Sequence, residues 1–122
     1  MPIVTVEIVT DNPPPVDLAA ELAETLAGVF GGPSSRTWVR VRALTNYAEG
    51  GGGPQPSVSP VFVSLLMADP PAGDLRAAQA ISVTNAVAAA CSRPAENVHV
   101  IYEPPGAGRV AFGGNLVPPK GY

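Results

Sequence analysis

The sequence predicts an α+β fold, a tandem β-α-β repeat forming a four-stranded mixed sheet with two helices on one face. Three observations carry this expectation. The chain opens on a strand-like run, Pro2-Ile3-Val4-Thr5-Val6-Glu7-Ile8-Val9. An amphipathic helix follows, with apolar residues recurring at Leu18, Leu22 and Leu26. The chain then matches itself at a shift of about 58 residues, Met1-Pro2-Ile3-Val4 against Ser59-Pro60-Val61-Phe62 and Asp11 against Asp69. With small gaps, Asp17-Leu18 matches Asp74-Leu75 and Val39-Arg40-Val41 matches Val98-His99-Val100. The expected organisation is one domain over 1–122, with repeats at 1–44 and 59–122 and a Gly/Pro-rich connection at 45–58. Each unit joins parallel strands through a right-handed crossover, and helices on one side leave the other sheet face uncovered.

The elements follow in order. The first strand spans Pro2 to Val9 and is stopped by Asp11-Asn12-Pro13-Pro14-Pro15. A helix runs from about Val16 to Phe30, with Asp17, Glu21 and Glu24 toward its N-terminal half, where carboxylates suit the helix dipole. Gly31-Gly32-Pro33 ends it. The second strand, Thr37 to Leu44, places Val39, Val41 and Ala43 on one face and Trp38, Arg40, Arg42 and Leu44 on the other. Gly50-Gly51-Gly52-Gly53-Pro54 leads into a strand rather than a helix, so it reads as a flexible connection or hairpin arm and not as a phosphate cradle. The third strand is Pro60 to Met67. A Pro-rich turn with Asp74 as N-cap introduces a helix over Leu75–Cys91, striped by Ala80, Val83, Val87 and Ala90 or Cys91. The fourth strand spans Asn97 to Glu103, and a short strand over Arg109–Phe112 runs into Gly113-Gly114.

Composition narrows the function. Of 122 residues, 46% are hydrophobic and only 14% charged, which suits a core-rich chain that hides surface in an oligomer. A net charge of −3 without a basic cluster argues against nucleic acid. No apolar run is long enough to span a membrane, and no basic segment precedes a secretory apolar stretch, so the expected location is cytoplasmic. One cysteine, Cys91, excludes an intrachain disulfide and reads as a core residue. One histidine and no clustered carboxylates argue against a metal site. The expectation is a protein without cofactor.

Pro2 carries the sharpest chemistry. If Met1 is removed, its nitrogen becomes a free secondary amine. Burial in an apolar pocket disfavours the cation of an amine, and a neutral amine near pH 7 is a general base. With Met1 attached, the nitrogen is an amide and Pro2 only begins a strand. His99 lies opposite Val98 and Val100, as either a hydrogen-bonded structural histidine or a ligand-binding one. Arg40 and Arg42 either pair with carboxylates or bind substrate, and Arg109 is either solvated or functional. Tyr47 and Tyr102 read as packing residues, Glu49 and Glu103 as surface carboxylates.

Pro2 opening the first strand, the β-α-β repeat, and Asn97-Val98-His99-Val100-Ile101-Tyr102-Glu103 leading to Arg109-Val110-Ala111-Phe112-Gly113-Gly114 together resemble the tautomerase superfamily. The second unit is similar to the short oxalocrotonate tautomerase subunit, in which a Val-Arg-Val strand leads to a hairpin ending in Gly-Gly. The double-length organisation is similar to macrophage migration inhibitory factor and its dehalogenase and decarboxylase relatives.

The resemblance implies a homotrimer with active sites at subunit interfaces and Pro2 as the catalytic base. It implies a substrate-binding role for His99, brought to Pro2 of another subunit, with Arg40 as its first-unit counterpart beside Pro60. Val110 and Phe112 would form an apolar wall, and the substrate carboxylate would rest on His99, Arg109, Arg36 or Arg40. Three departures stand out. Gly32 replaces a lysine, the turn from Ala68 to Gly73 lacks arginines, and Ala111 stands about where dehalogenases keep a glutamate, which disfavours dehalogenation. The implied activity is enol–keto isomerisation of a small 2-oxo or 2-hydroxy-enoic acid. The alternatives are hydration or decarboxylation of a small oxo-acid on the same scaffold, or a non-catalytic trimer.

Overall fold

The computed structural model describes residues 1–51 and 59–120. The glycine-rich connection, read from sequence as a flexible link or hairpin arm, falls largely on residues 52–58, outside the described ones. The main elements are β1 (Ile3–Val9), α1 (Leu18–Phe30), β2 (Trp38–Leu44), β3 (Val61–Leu66), α2 (Gly73–Cys91), β4 (Val98–Tyr102), β5 (Ala111–Phe112) and β6 (Asn115–Leu116). A short 3-10 turn precedes β2 at Ser34–Arg36 and another precedes β4 at Ala95–Asn97.

The sheet order is β2-β1-β3-β4. β1 and β2 are parallel, β1 and β3 antiparallel, and β3 and β4 parallel. Alternation along the strands sorts the residues. Val4, Val6, Val61, Val63 and Leu65 are fully buried and pack with Leu22 and Leu26 of α1 and Val83 and Val87 of α2. Both helices therefore cover one face, and each buried Val or Leu stabilises the fold by roughly 1.5–3 kcal/mol. The opposite face carries rows that run across the sheet: Trp38, Ile3 and Leu66; Arg40, Thr5, Ser64 and Ile101; Arg42, Glu7, Phe62 and His99. This is the mixed, one-sided α+β architecture that the sequence predicts.

Several boundaries differ from the sequence reading. α1 begins at Leu18 and leaves Val16 98% exposed in the preceding turn. α2 begins at Gly73, so Asp74 lies inside its first turn and Ala72 takes the cap position without a side-chain bond. Gly73 has a φ of +57°, a left-handed conformation that glycine adopts cheaply, and the helix starts there ahead of the acid.

The repeat also has a different register. α1 ends on Gly31 and α2 on Ser92, both left-handed, and each is followed by a proline and a 3-10 turn. This shared punctuation aligns Trp38 with His99, and therefore Arg40 with Ile101. Ile3 pairs with Trp38 and Phe62 with His99, so the structural counterpart of Pro2 is Val61, not Pro60. Alternation decides the point: Val4 faces the core, whereas Phe62, its partner at the sequence shift, faces away. Arg40 is accordingly not the counterpart of His99.

Among the described residues, no helix is long and apolar enough to cross a membrane.

Candidate active site

The N-terminal end of β1 is where the two units and the C-terminal hairpin converge. Pro2 is buried, and its carbonyl accepts the Trp38 N–H at 3.1 Å. Ile3 is flanked by Trp38 on one side and Leu66 on the other. The hairpin is laid over this end by a ladder of backbone bonds. Glu103 N–H donates to Leu65 O (2.9 Å), Gly106 N–H to Met67 O (2.7 Å) and Ala107 N–H to Ala68 O (3.2 Å). β5 and β6 then pair through Ala111 with Leu116 and Phe112 with Asn115. Gly113 and Gly114 form the turn, with φ of +57° and +90°, the double positive-φ geometry that a tight hairpin requires. The fold-back sets Phe112 edge-on against Trp38, with ring centroids 5.2 Å apart.

Gly106 is buried where three side chains meet. A Cβ there would lie 2.8 Å from the terminal methyl of Met1, 3.3 Å from Val110 and 3.4 Å from Leu66. Met1 therefore fills an apolar niche between the hairpin and the end of β3.

A cavity of about 270 Å³ opens beside this niche. Its apolar wall is Ile3, Leu66 and Val110, and its charged lining is Arg40, Arg109 and Glu103. Arg40 is held in place from β1: its Nε and Nη2 both donate to Thr5 Oγ1, at 3.2 and 2.7 Å. Arg109 Nη1 makes one long bond to Pro105 O, at 3.4 Å. Neither guanidinium pairs with a carboxylate among the described residues. Two cations facing one carboxylate leave the cavity with a net positive lining.

Of the residues singled out from sequence, the fold thus brings Arg40, Arg109 and Val110 to one cavity that Ile3, the residue after buried Pro2, also lines; Phe112 packs against Trp38 and is not part of that lining. Arg36 sits in the 3-10 turn before β2, exposed and outside the cavity lining. His99 is at the other end of the sheet. It pairs with Phe62, which pairs with Glu7, roughly 17 Å along β1 from Pro2 at the usual rise per residue. Its ring lies against Phe62 at 5.5 Å. Within one chain, His99 does not meet Pro2. Sequence reasoning did not single out Trp38, Leu66 or Gly106, of which only Trp38 carried a signal, as a large aromatic on the polar face of a strand; Glu103, read as a surface carboxylate, is exposed and also lines the cavity.

A second, wider cavity of about 740 Å³ lies at the opposite end, lined by Val9, Leu44, Ser59 and Arg93 among others. Its cation is already engaged: Arg93 donates to the carbonyls of Val9 (3.2 Å), Ser59 (3.3 Å) and Cys91 (3.5 Å). Arg93 there ties strand ends together. Among the described residues, no three His, Cys, Asp or Glu side chains gather as metal ligands would.

No protein-family model and no curated protein matches the chain. Solved structures do. Macrophage migration inhibitory factor from Oncomelania hupensis superposes with a TM-score of 0.74 at 21% identity, covering 96% of this chain and 83% of that one. A fused 4-OT, the R7 wild-type asymmetric trimer, gives 0.75 at 14% identity, covering 94% and 95%. Pt0534 inactivated by 2-oxo-3-pentynoate gives 0.73 at 13% identity over the same shares. The chain has the tautomerase-superfamily fold.

Proposed function

We propose that this protein is a tautomerase that works once Met1 is removed, with the Pro2 amine as general base for enol–keto isomerisation of a small 2-oxo or 2-hydroxy-enoic acid. The observation that carries this reading is the setting of Pro2. It is buried at the head of β1, one residue before Ile3, which lines a small cavity holding two arginines that pair with no carboxylate among the described residues. Removal of Met1 frees both the amine and the niche by Gly106 that the Met1 side chain fills. The apolar surroundings of Ile3, Leu66 and Val110 disfavour the protonated amine, which keeps a base available near neutral pH. Pro2 then takes the proton from the enol hydroxyl and returns it to carbon. A cationic group holds the carboxylate and stabilises the developing enolate. That Pt0534, of the same fold, is inactivated by 2-oxo-3-pentynoate, a small 2-oxo acid, supports the substrate class.

The assembly belongs to the same proposal. The fused 4-OT structures of this fold are trimers, and the uncovered sheet face here bears Trp38 and Ile101, 53% and 49% exposed. In a homotrimer, His99 of one subunit would reach the Pro2 site of another.

The test is ketonisation of phenylenolpyruvate by protein whose intact mass shows Pro2 at the N-terminus. Pro2→Ala is expected to lower kcat by about 10²–10⁴, the usual worth of a positioned base. Undiminished activity in that variant would end the proposal. A second reading, a non-catalytic oligomer that keeps Met1, is favoured by the fit of the Met1 side chain against Gly106, Val110 and Leu66. Native protein that retains Met1 would decide for it.

A further inference from the structure

We infer that Met1 can be removed only before the C-terminal segment has folded over it, so that a chain which folds with its methionine keeps it. The protection of Met1 stands on packing alone; its consequence, a chain without a free Pro2 amine, rests on the proposed function. Excision is a hydrolysis. A methionine aminopeptidase adds water to the Met1 carbonyl carbon, and the bond to the Pro2 nitrogen breaks. Free methionine leaves, and the Pro2 nitrogen takes the proton and becomes a secondary amine. Such an enzyme has to hold the Met1 side chain and reach the peptide bond behind it. The folded chain withholds both.

The side chain is held by the niche. Gly106 is buried, and a Cβ on it would meet the Met1 methyl at 2.8 Å, Val110 at 3.3 Å and Leu66 at 3.4 Å. The segment that brings Gly106 and Val110 there is fastened along its length. Gly106 and Ala107 donate to the Met67 and Ala68 carbonyls at 2.7 and 3.2 Å. Val117 N–H donates to Val110 O and Gly108 N–H to Val117 O, both at 2.8 Å. Lys120 Nζ then pairs with Asp69 at 3.0 Å, an exposed bridge that adds little by itself. The peptide bond is held by the sheet. Pro2 is buried, its carbonyl accepts the Trp38 N–H at 3.1 Å, and Ile3 sits between Trp38 of β2 and Leu66 of β3. β1 has a strand on either side, so its first residues do not lift away as a free terminus does. Cleavage therefore tracks the fraction of molecules opened at this end.

Chain order supplies the interval for excision. Met1 is made first, whereas Gly106 and Val110 are made after β4. Synthesis at about 5–20 residues per second separates Met1 from Val110 by roughly 5 to 20 s. Until then the niche lacks two of its walls and the methionine is free. Excision that misses this interval leaves a folded chain whose Pro2 nitrogen stays an amide.

The experiment times the excision. The full chain is made in a eukaryotic cell-free system depleted of its own methionine aminopeptidase. Purified aminopeptidase is present from the start or is added after the chain has been released and folded. Intact mass is expected to show Met1 lost in the first case and kept in the second. A peptide of residues 1–6 is expected to be trimmed in both. Folded protein should lose Met1 at least about a hundredfold more slowly than that peptide, because only the open fraction is cut. Trimming at the peptide's rate, or retention in both cases, overturns the inference. Gly106→Leu puts a side chain into the niche, and Val110→Ala removes a wall should the larger residue not fold. Each, checked for folding by circular dichroism, is expected to speed trimming of the folded protein about tenfold. A folded variant as slow as the wild type would mean that the sheet alone guards Met1, and the part given to the C-terminal segment falls. Trimmed protein that never ketonises an enol would leave this inference standing and remove the proposed activity instead.

Discussion

At the scale of single residues, Gly106 shows how space and conformation separate. Its φ is not left-handed, so the need for glycine is the room between Met1, Val110 and Leu66. The shortest approach, 2.8 Å, is to the end of a flexible side chain, and the other two exceed 3 Å. Gly106→Ala should therefore cost no more than about 1 kcal/mol of stability, at the low end of overpacking, and less still in protein lacking Met1. Its effect should appear in the ligand: the added methyl enters the niche and lowers the preference for phenylpyruvate over pyruvate. An unaltered preference would show that the niche stays empty when substrate binds. Two other residues set a pH dependence. Burial pushes the Cys91 thiol above its ordinary 9.0, with Arg93 pulling the other way. Burial also raises the Tyr102 phenol above 10.0, against the pull of Arg76. The folded protein holds these protons more tightly than the unfolded chain. Their contribution to stability is whole below pH 9 and is lost as pH rises through 9 and then 10. Urea unfolding at neutral pH and at steps above pH 9 should trace that loss, and Cys91→Ala should flatten its first part.

Among elements, the helix ends give the cleanest comparison, because one sequence solves the same problem twice. α1 stops on Gly31 at φ +78°, with its N–H on the Ala27 carbonyl. α2 stops on Ser92 at φ +54°, the one non-glycine residue with positive φ among those described. A residue with a Cβ pays about 1–2 kcal/mol for that conformation, part of which glycine gives back through its freer unfolded chain. Ser92→Gly is thus expected to stabilise the protein by about 0.5–1 kcal/mol in urea titration, and a destabilised variant would mean that the serine hydroxyl does more than end a helix. The strands and both helices were legible in the sequence because alternation and a four-residue stripe each bury one face. The repeat register was not. Pro60 echoes Pro2 in composition, whereas the fold aligns units by their helix ends and by which residues face the core. The arginines of β2 illustrate the same limit. Arg42 pairs with Glu7 at 2.8 Å in a largely exposed setting worth at most about 1 kcal/mol. Arg40, two residues away, bonds to Thr5 and lines the cavity. Both partners lie across the sheet, which spacing along β2 cannot reveal.

On the scale of the whole molecule, the candidate site is a product of tertiary folding. Pro2 stood out in the sequence because its chemistry belongs to one residue type at one position, and its role as base belongs to the proposed function. That Arg109 and Val110 share a cavity lining with Arg40 of β2, Leu66 of β3 and Glu103, while Arg36 stays outside it, follows from a C-terminal segment that folds back over the end of β3, a closure that no local pattern encodes. His99 poses the remaining question of scale. It lies on the uncovered face, at the far end of the sheet from Pro2, so in one chain the two cannot act together. On the proposed trimer, each site takes Pro2 from one subunit and His99 from its neighbour. Subunits defective in different halves should then repair one another. Pro2→Ala and His99→Ala proteins, each weak alone, are co-expressed under separate tags so that mixed assemblies can be isolated. In a cyclic trimer, every mixed assembly contains one interface where an intact Pro2 meets an intact His99, so random equal mixing should restore about a quarter of the wild-type sites. Activity in the mixture that only sums its two components would place His99 outside the site, and a chain that sediments as a monomer at assay concentration would remove the shared interface altogether.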